Sequence, residues 1–348
     1  MKKTRAAVVG VGHLGKEHAR VYSGLPDVEL VAVVDTEPGR ADEVAAKLGV
    51  KALTSYEGLA GEIDVVSVVV PTTAHYEVAG YFLERDVAVL VEKPMTRTVD
   101  EASALVELSR KRSVPLQVGH IERFNPVVLA AQKFDITPKF IEADRLSPFS
   151  FRSADIGVVL DMMIHDIDIT LALVGAEPSR VDAVGFGVIT TKEDIANARL
   201  TFPTGAVANL TASRLALKTM RKIRVFSTDS YISMDSASKT GIVVKASEKL
   251  TIDALKVDDM KVSDISDLKD FVFGDLLKIE ALQVDDYEPL KLEIESFVEC
   301  VSKGTPSVVP GEHGLRSMRT AERIMNSIQT HDWYGDNPPR DKYDKSRT

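Results

Sequence analysis

Residues 6–15 most strongly limit what this chain can fold into. Small and β-branched apolar residues at 6–9 predict a buried parallel strand, and a helical pattern begins directly after the turn that follows. The turn is the run Gly10-Val11-Gly12-His13-Leu14-Gly15. In such a run the first glycine permits the tight turn, the second lets a pyrophosphate approach the backbone, and the third lets the helix pack on the strand. Glycine-rich turns occur in many folds, but a strand before and a helix after this one favour a dinucleotide site.

A second apolar run, at 28–35, predicts the next strand and ends on Asp35. An acid at that place accepts hydrogen bonds from the adenosine ribose 2′-OH and repels a 2′-phosphate. Glu37 adds a second acid, and no arginine follows before Arg40. The sequence therefore predicts NAD, rather than NADP, as the cofactor.

Size and charge exclude several other classes of protein. With 348 residues, 44% of them hydrophobic and 27% charged, the chain has the composition of a globular protein of two domains. Its net charge of −9 argues against nucleic acid and anionic membranes as partners. The single cysteine, Cys300, excludes an internal disulfide and fits a reducing compartment. The first residues lack the apolar stretch of a signal peptide, and no apolar run reaches the ~18 residues of a membrane span, so we expect a cytoplasmic protein.

Residues 1–125 alternate between strand and helix patterns. Further strands are predicted at 64–70, 87–91 and 115–118, and helices at 39–48, 74–85 and 100–111. Short connections between them predict a doubly wound parallel sheet, which binds ligands at the carboxyl ends of its strands. The residues expected there are Gly10, Gly12, His13, Leu14, Gly15, Asp35, Pro71, Thr72, His75, Glu92, Lys93 and His120.

Residues 126–331 have the pattern of a second, α+β domain. A mostly antiparallel, open sheet is predicted from strands at 139–145, 181–189, 195–202, 206–214, 221–227, 240–246 and 278–284, with helices at 156–174, 288–302 and 314–329. Apolar positions such as Val184, Leu200 and Leu210 are expected on a sheet face that a partner subunit covers, which predicts a homodimer or homotetramer. Residues 253–275 show no assignable pattern, and 332–348 are expected to form a flexible tail.

Two groups of residues suggest chemistry. Glu92-Lys93-Pro94 follows a predicted strand into the crevice, although Lys and Glu are also common at a surface strand end. On the helix at 156–174, Asp161, His165 and Asp168 share one face. In the structural interpretation, the face is exposed to solvent or the histidine is buried with its hydrogen-bond partners satisfied. In the functional ones, the three side chains bind Zn²⁺ or Fe²⁺, or they remove a proton from an alcohol. A lysine in the crevice would repel a metal, and a nicotinamide supplies the hydride acceptor that alcohol oxidation needs, so we favour acid/base chemistry without a metal.

These motifs resemble the glucose–fructose oxidoreductase/inositol dehydrogenase/MocA family. The similarity covers nearly the whole chain, and its parts are the glycine run, Pro71-Thr72-Thr73-Ala74-His75, Glu92-Lys93-Pro94 and Asp161-x-x-x-His165. It implies an N-terminal Rossmann domain, a C-terminal domain whose open sheet forms oligomers, and Lys93, Asp161 and His165 as the catalytic set. Within the family, residues 119–126 are most similar to UDP-N-acetylglucosamine 3-dehydrogenases, and myo-inositol dehydrogenases are the nearest alternative. A non-catalytic NAD-binding regulator is a third possibility, which an intact catalytic set argues against.

Arginines near the catalytic segments predict a substrate that carries a diphosphate. Arg123, Arg145 and Arg152 flank those segments in sequence, and guanidinium groups bind phosphate oxygens through paired hydrogen bonds. Alternatively, Arg123 pairs with Glu122 or another acid, and the other two are solvated. With His120, Glu122, Asp161 and His165, these arginines make up the predicted substrate-binding set.

Overall fold

The computed structural model describes residues 3–150, 156–247 and 277–333. Its first sheet has six parallel strands in the order β3-β2-β1-β4-β5-β6, so the strand order reverses between β1 and β4. The strands are β1 Thr4–Val9, β2 Val28–Val34, β3 Lys51–Leu53, β4 Val65–Val68, β5 Ala88–Glu92 and β6 Leu116–Gly119. The predicted doubly wound sheet is confirmed; the short β3 was absent from the prediction because its three residues are too few to show a pattern.

Helices cover both faces of this sheet, which explains why its strands are apolar throughout. They are α1 Gly15–Gly24, α2 Pro38–Leu48, α3 Thr72–Leu83 and α4 Val99–Arg112. Every residue of β4 is buried as a result. Thr98 caps α4, since its hydroxyl oxygen accepts a hydrogen bond from the Glu101 backbone N–H at 3.2 Å; Thr98-x-x-Glu101 is a spacing typical of a helix start.

In the described part of the chain, the second sheet has eight strands in the order β14-β13-β12-β11-β7-β10-β9-β8. Its strands are β7 Phe140–Leu146, β8 Arg180–Phe186, β9 Ile195–Thr201, β10 Val207–Ser213, β11 Met220–Phe226, β12 Ser230–Asp235, β13 Thr240–Ala246 and β14 Leu277–Ala281. Among these described strands, β7 and β10 are the one parallel pair, so the predicted open and mostly antiparallel sheet is confirmed. The prediction lacked β12, which follows β11 through a short turn.

One face of the second sheet is covered within the chain, and it is not the face that the sequence suggested. Leu200 and Leu210 are fully buried against helices, so they belong to the internal core rather than to a subunit interface. The alternation of burial leaves the opposite face with Val184 and a stacked set of aromatic rings, Phe140, Phe226 and Tyr231. We call this the open face. Strand alternation tells which residues share a face, but not which face the helices cover.

Four further α-helices in the described ranges pack into the cores of the two sheets. They are α5 Pro126–Gln132, α6 Ile164–Val174, α7 Pro289–Lys303 and α8 Gly311–Gln329. Ile294 and Phe297 of α7 pack into the core of the first sheet, whereas Ile324 of α8 packs into the core of the second. The chain thus returns to the first core near its end, and a domain boundary at residue 125 stays a prediction.

Three predictions fall on residues outside the described ranges. These are Arg152 as a substrate ligand, the absence of a pattern at 253–275, and the flexible tail, of which only residues 332 and 333 are described. Within the described ranges, every helix is too short or too polar to cross a membrane.

Candidate active site

The glycine turn after β1 leaves room for a phosphate at its middle glycine. Gly10 has a φ of +86°, and a Cβ there would lie 2.5 Å from the carbonyl oxygen of Val69. A Cβ on Gly15 would collide with the carbonyl oxygen of Gly10. At Gly12, by contrast, a Cβ would meet no described atom within 4 Å. The turn is therefore packed against the strands on one side and open at Gly12, which fits the pyrophosphate of a dinucleotide.

Asp35 lies directly after β2, and its carboxylate is fixed by the glycine turn. Its Oδ2 accepts a hydrogen bond from the Val11 N–H at 3.0 Å, and its Oδ1 accepts one from the Glu37 N–H at 3.0 Å. The guanidinium of Arg40 lies 3.3 Å from Oδ1, a contact that the sequence did not reveal. The acid is therefore held rigidly beside the open glycine, where the ribose of NAD is expected.

Most of the predicted cofactor residues line one crevice between the two sheets. This cavity of about 1000 Å³, the cofactor crevice, is lined from the first sheet by Leu14, Pro71, Thr72, His75, Glu92 and Lys93. Its other side is lined by residues from the second half of the chain, such as Leu160 and Lys192, of which Lys192 lies between β8 and β9. Gly12 and His13 instead line a separate cavity of about 660 Å³ between α1 and α2.

The ring of His75 ties two loops of the crevice together. Its nitrogens lie 2.9 Å from the carbonyl oxygens of Val70 and Pro94, and burial lowers its pKa. His75 therefore holds the end of β4 against the segment that follows β5. A neutral imidazole has one N–H, so it donates a hydrogen bond to one of these two oxygens, and the role of His75 toward the cofactor stays a prediction.

Lys93 lies where the cofactor crevice meets a second, smaller cavity. Its Nζ donates a hydrogen bond to the backbone oxygen of Asp161 at 2.7 Å and lies 3.4 Å from the Asp161 carboxylate. The second cavity, the polar pocket, has a volume of about 280 Å³ and is lined by Lys93, Arg145, Leu146, Ser147, Pro148, Ser150, Asp161, Met162, His165, Arg214 and Arg221. Lys93 lines both cavities, so it can reach a substrate in one and a cofactor in the other.

A buried chain of polar groups stands behind Lys93, and sequence reasoning did not find it. Glu92 Oε2 accepts a hydrogen bond from the Lys93 backbone N–H at 3.2 Å, while Glu92 Oε1 lies 3.1 Å from His18 Nε2. The other ring nitrogen of His18 lies 3.2 Å from Ser67 Oγ, which is 3.0 Å from the hydroxyl of Tyr22. The only sequence signal is a histidine on the buried side of α1. These contacts fix the backbone from which Lys93 extends.

The helix predicted over 156–174 begins with a π turn, Val159–Met163, before α6. Asp161 lies in this turn and turns both its backbone oxygen and its carboxylate toward Lys93. Such π turns are frequent at functional sites because they free backbone groups from the regular helical pattern. Asp168, which the helix pattern placed on the same face, lies in the interior 3.6 Å from Arg123 and does not line the polar pocket.

His165 faces the polar pocket as a neutral ring. Its Nδ1 is buried and has no hydrogen-bond partner among the described residues. Burial, together with the positive charges of Lys93 and Arg145, holds the pKa of His165 well below its ordinary value of 6.5. The imidazole is therefore unprotonated at neutral pH and able to accept a proton.

Only some of the predicted substrate residues meet in the polar pocket. Arg145 lines it, but its guanidinium donates hydrogen bonds to the Asp166 carboxylate at 2.8 and 2.9 Å and to the Glu122 carboxylate at 3.1 Å. Burial alone lowers the pKa of Arg145, yet these carboxylates raise it above its ordinary value, so the charge is kept. Arg123 instead faces Asp168 and lines a different cavity.

His120 lies behind the pocket, fully buried, with its ring centre 6.5 Å from that of His165. Burial lowers the pKa of His120, so this neighbour adds little positive charge. Two pocket arginines, Arg214 and Arg221, were absent from the prediction because they follow or begin strands far from the catalytic motifs in sequence.

Comparison with known proteins agrees with this geometry. Residues 4–120 match the family described as "Oxidoreductase family, NAD-binding Rossmann fold", and residues 139–233 match the "GFO/IDH/MocA C-terminal domain". A UDP-N-acetylglucosamine 3-dehydrogenase from Acidithiobacillus ferrooxidans is 36% identical over 93% of this chain and 97% of its own. The chain belongs to the Gfo/Idh/MocA oxidoreductase family.

A second relative is named for a different substrate, and a solved structure of the first relative has the same fold as this chain. A scyllo-inositol 2-dehydrogenase (NAD(+)) from Bacillus subtilis is 28% identical over 94% of each chain. A solved structure of the Acidithiobacillus ferrooxidans enzyme superposes with a TM-score of 0.82, covering 94% of this chain and 99% of that one. The chain is thus an NAD-binding oxidoreductase whose relatives are dehydrogenases that act on hydroxyl groups.

Within the described ranges, no three His, Cys, Asp or Glu side chains gather as a metal site. The roles of Lys93, Asp161 and His165, and the absence of a metal, stay predictions.

Proposed function

We propose that this oxidoreductase converts the 3-hydroxyl of UDP-N-acetylglucosamine to a ketone and reduces NAD. The observation that carries the proposal is the position of Lys93, where the cofactor crevice meets the polar pocket, with Asp161 and His165 on the pocket side. The relative that is 36% identical over nearly the full length supports the choice of substrate.

His165 acts as the general base. Its pKa is held low by burial and by Lys93, so the ring is neutral at neutral pH and accepts the hydroxyl proton. We assign that proton to Nε2, because Nδ1 is fully buried.

Lys93 supports this step through its charge. An ammonium group has three N–H donors, and the contacts with the Asp161 backbone oxygen and carboxylate use two of them. The third is free to bind the reacting hydroxyl oxygen and stabilise the negative charge that develops there. Asp161 therefore aims the ammonium group, and its carboxylate lines the pocket beside His165.

The residues of the cofactor crevice and of the neighbouring glycine turn fit NAD. The open glycine turn suits the pyrophosphate, and the fixed carboxylate of Asp35 suits the ribose. Bound NAD supplies the hydride acceptor for the carbon that loses its hydrogen.

The test is NADH formation with UDP-N-acetylglucosamine, UDP-glucose, myo-inositol and scyllo-inositol, using His165→Ala as the control. We expect the highest kcat/KM with UDP-N-acetylglucosamine and no comparable rate in the variant. Efficient oxidation of a cyclitol, with both UDP-sugars ignored, would overturn the substrate and favour an inositol dehydrogenase. NAD binding without reduction by any compound in the panel would instead favour the non-catalytic regulator.

We also propose that the protein is a cytoplasmic homodimer or homotetramer joined through the open face. Phe140, Phe226 and Tyr231 stack there, with ring centres 5.7 and 4.7 Å apart for the two neighbouring pairs. Partly exposed aromatic rings of this kind are typical of interface cores. Sedimentation of the wild type and of Phe226→Asp tests this, and a wild-type monomer at micromolar concentration would contradict it.

A further inference from the structure

Among the described residues, three arginines line the polar pocket from neighbouring strands of the second sheet. Arg145 is next to last in β7, Arg214 directly follows β10, and Arg221 is the second residue of β11. Because β7 pairs with both β10 and β11, and Arg145 lies opposite Arg221 in register, the three side chains come to one edge of the sheet. With Lys93, they bring four cationic side chains to the pocket, and each of them lies near at least one carboxylate.

The three guanidinium groups differ in how protein carboxylates hold them. Arg145 is buried in its grip on Asp166 and Glu122, and Arg214 is buried with its Nε 2.8 Å from Asp194. Both are therefore parts of the pocket wall and keep fixed positions.

Arg221 is placed differently. Its side chain is 47% exposed, and its ion pair is with Glu122 Oε1 at 3.6 Å, which is too long for a hydrogen bond. That oxygen already accepts a hydrogen bond from Arg145 at 3.1 Å. Arg221 is thus the guanidinium in the wall that can turn its donors toward a ligand.

We propose that Arg221 binds the diphosphate of the substrate and makes this enzyme specific for nucleotide sugars, an inference that rests on the proposed function. A guanidinium group binds phosphate oxygens through two parallel, charge-assisted hydrogen bonds. A pocket of about 280 Å³ has room for a sugar ring beside Lys93 and His165, and the diphosphate then reaches the exposed side of the pocket. A cyclitol has no group that uses this charge.

This assigns separate roles to the two neighbouring arginines. Arg145, which the sequence suggested as a phosphate ligand, supports the pocket, since its donors are occupied by Asp166 and Glu122. Removing it leaves two buried carboxylates without their cation, so the loss is expected in folding. Removing Arg221, by contrast, is expected to weaken substrate binding and to leave folding intact.

Arg221→Ala and Arg221→Lys test the proposal, with Lys222→Ala as the matched control. Lys222 is the next residue of β11, carries the same charge and points to the opposite face of the sheet, opposite Asp144 and Asp235 in register. Binding of UDP to the full-length protein is measured by calorimetry, and KM is measured for UDP-N-acetylglucosamine and for NAD.

We expect Arg221→Ala to weaken UDP binding and raise KM for the nucleotide sugar by about 10- to 100-fold, the size expected when a charge-assisted contact is lost. The change falls mainly on KM rather than kcat; Arg221→Lys recovers part of the loss, and Lys222→Ala binds UDP like the wild type. We also expect inorganic pyrophosphate to compete with UDP in the wild type, because the proposed contact is to phosphate, and a lack of competition would contradict that contact.

Two results would overturn the proposal in distinguishable ways. If the wild type binds UDP and the folded Arg221→Ala variant binds it equally well, only the role of Arg221 fails. If the wild type neither binds UDP nor oxidises UDP-sugars, the proposed function fails as well.

Discussion

Replacing Asp35 with serine tests how the chain selects its cofactor. In the structure the carboxylate joins the glycine turn to the start of α2, because it accepts hydrogen bonds from the Val11 and Glu37 amides. It also holds Arg40, whose guanidinium lies 3.3 Å from Oδ1. The substitution therefore removes the expected ribose ligand and releases a cation at the same point.

Both effects have predictable sizes. Losing a charge-assisted hydrogen bond to the ribose costs about 1.5–3 kcal/mol, or roughly 10- to 100-fold in Kd for NAD. Leaving the buried Val11 N–H without an acceptor lowers the free energy of unfolding by about 1–3 kcal/mol. For NADP the sign is opposite, because the released Arg40 can meet the 2′-phosphate in place of the carboxylate.

Fluorescence titration with NADH and NADPH measures these changes in Asp35→Ser, in Asp35→Ser/Arg40→Ala, and in Asp42→Ser. Asp42 is an exposed acid on α2, so its variant controls for the change in net charge alone. We expect the single Asp35 variant to gain NADPH affinity and the double variant to lose that gain. A wild type that binds both cofactors equally would refute the role of Asp35.

Three further predictions concern single residues. We expect Lys93→Ala and His165→Ala each to lower kcat by about 10²-fold or more while NAD binding is retained. Asp161→Asn should also slow turnover. Normal turnover in the His165 variant would show that His165 is not the general base. Because the pKa of His165 lies well below 6.5, this base stays neutral as the pH falls through 6.5. We therefore expect kcat/KM to decline only at lower pH. A kcat/KM profile whose midpoint lies at or above pH 6.5 would contradict this. Burial and the nearby Glu92 carboxylate raise the pKa of Glu293 well above 4.5, so the folded protein holds a proton there that the unfolded chain releases. Its stability should therefore fall by up to about 1.4 kcal/mol per pH unit as the pH rises above 4.5. Thermal melts check this, because Glu293→Gln should raise the melting temperature more at pH 8 than at pH 5. Glu299→Gln, on the exposed side of α7, is the control and should show no such difference. Equal changes in melting temperature at both pH values in the Glu293 variant would count against the prediction.

The first half of the fold can be predicted from sequence because its signals are local. Each signal is contained in a stretch of a few residues, as in the glycine turn, the apolar strands and the cap at Thr98. Each therefore predicts its own helix, strand or turn without knowledge of the rest of the fold. The site residues Asp35 and Lys93 follow strands of that sheet directly, so the parallel topology alone brings them to one edge.

The second half of the site depends on contacts that no short stretch of sequence contains. Arg145 pairs with Asp166, and it lies opposite Arg221 only because β7 and β11 are neighbours in the sheet. The covered face of that sheet, with Leu200 and Leu210, follows from where α6 and α8 pack. The π turn at Asp161 is likewise a tertiary feature, because the side chains around it are ordinary for an α-helix.

The most direct test of the central claim uses UDP-N-acetylglucosamine that carries deuterium at C3 of the sugar. Hydride transfer from C3 predicts that the deuterium moves to the nicotinamide of the reduced cofactor and that the sugar gains a 3-keto group, both visible by mass spectrometry. Reduced cofactor without deuterium, or a product oxidised at another carbon, would contradict the proposed reaction.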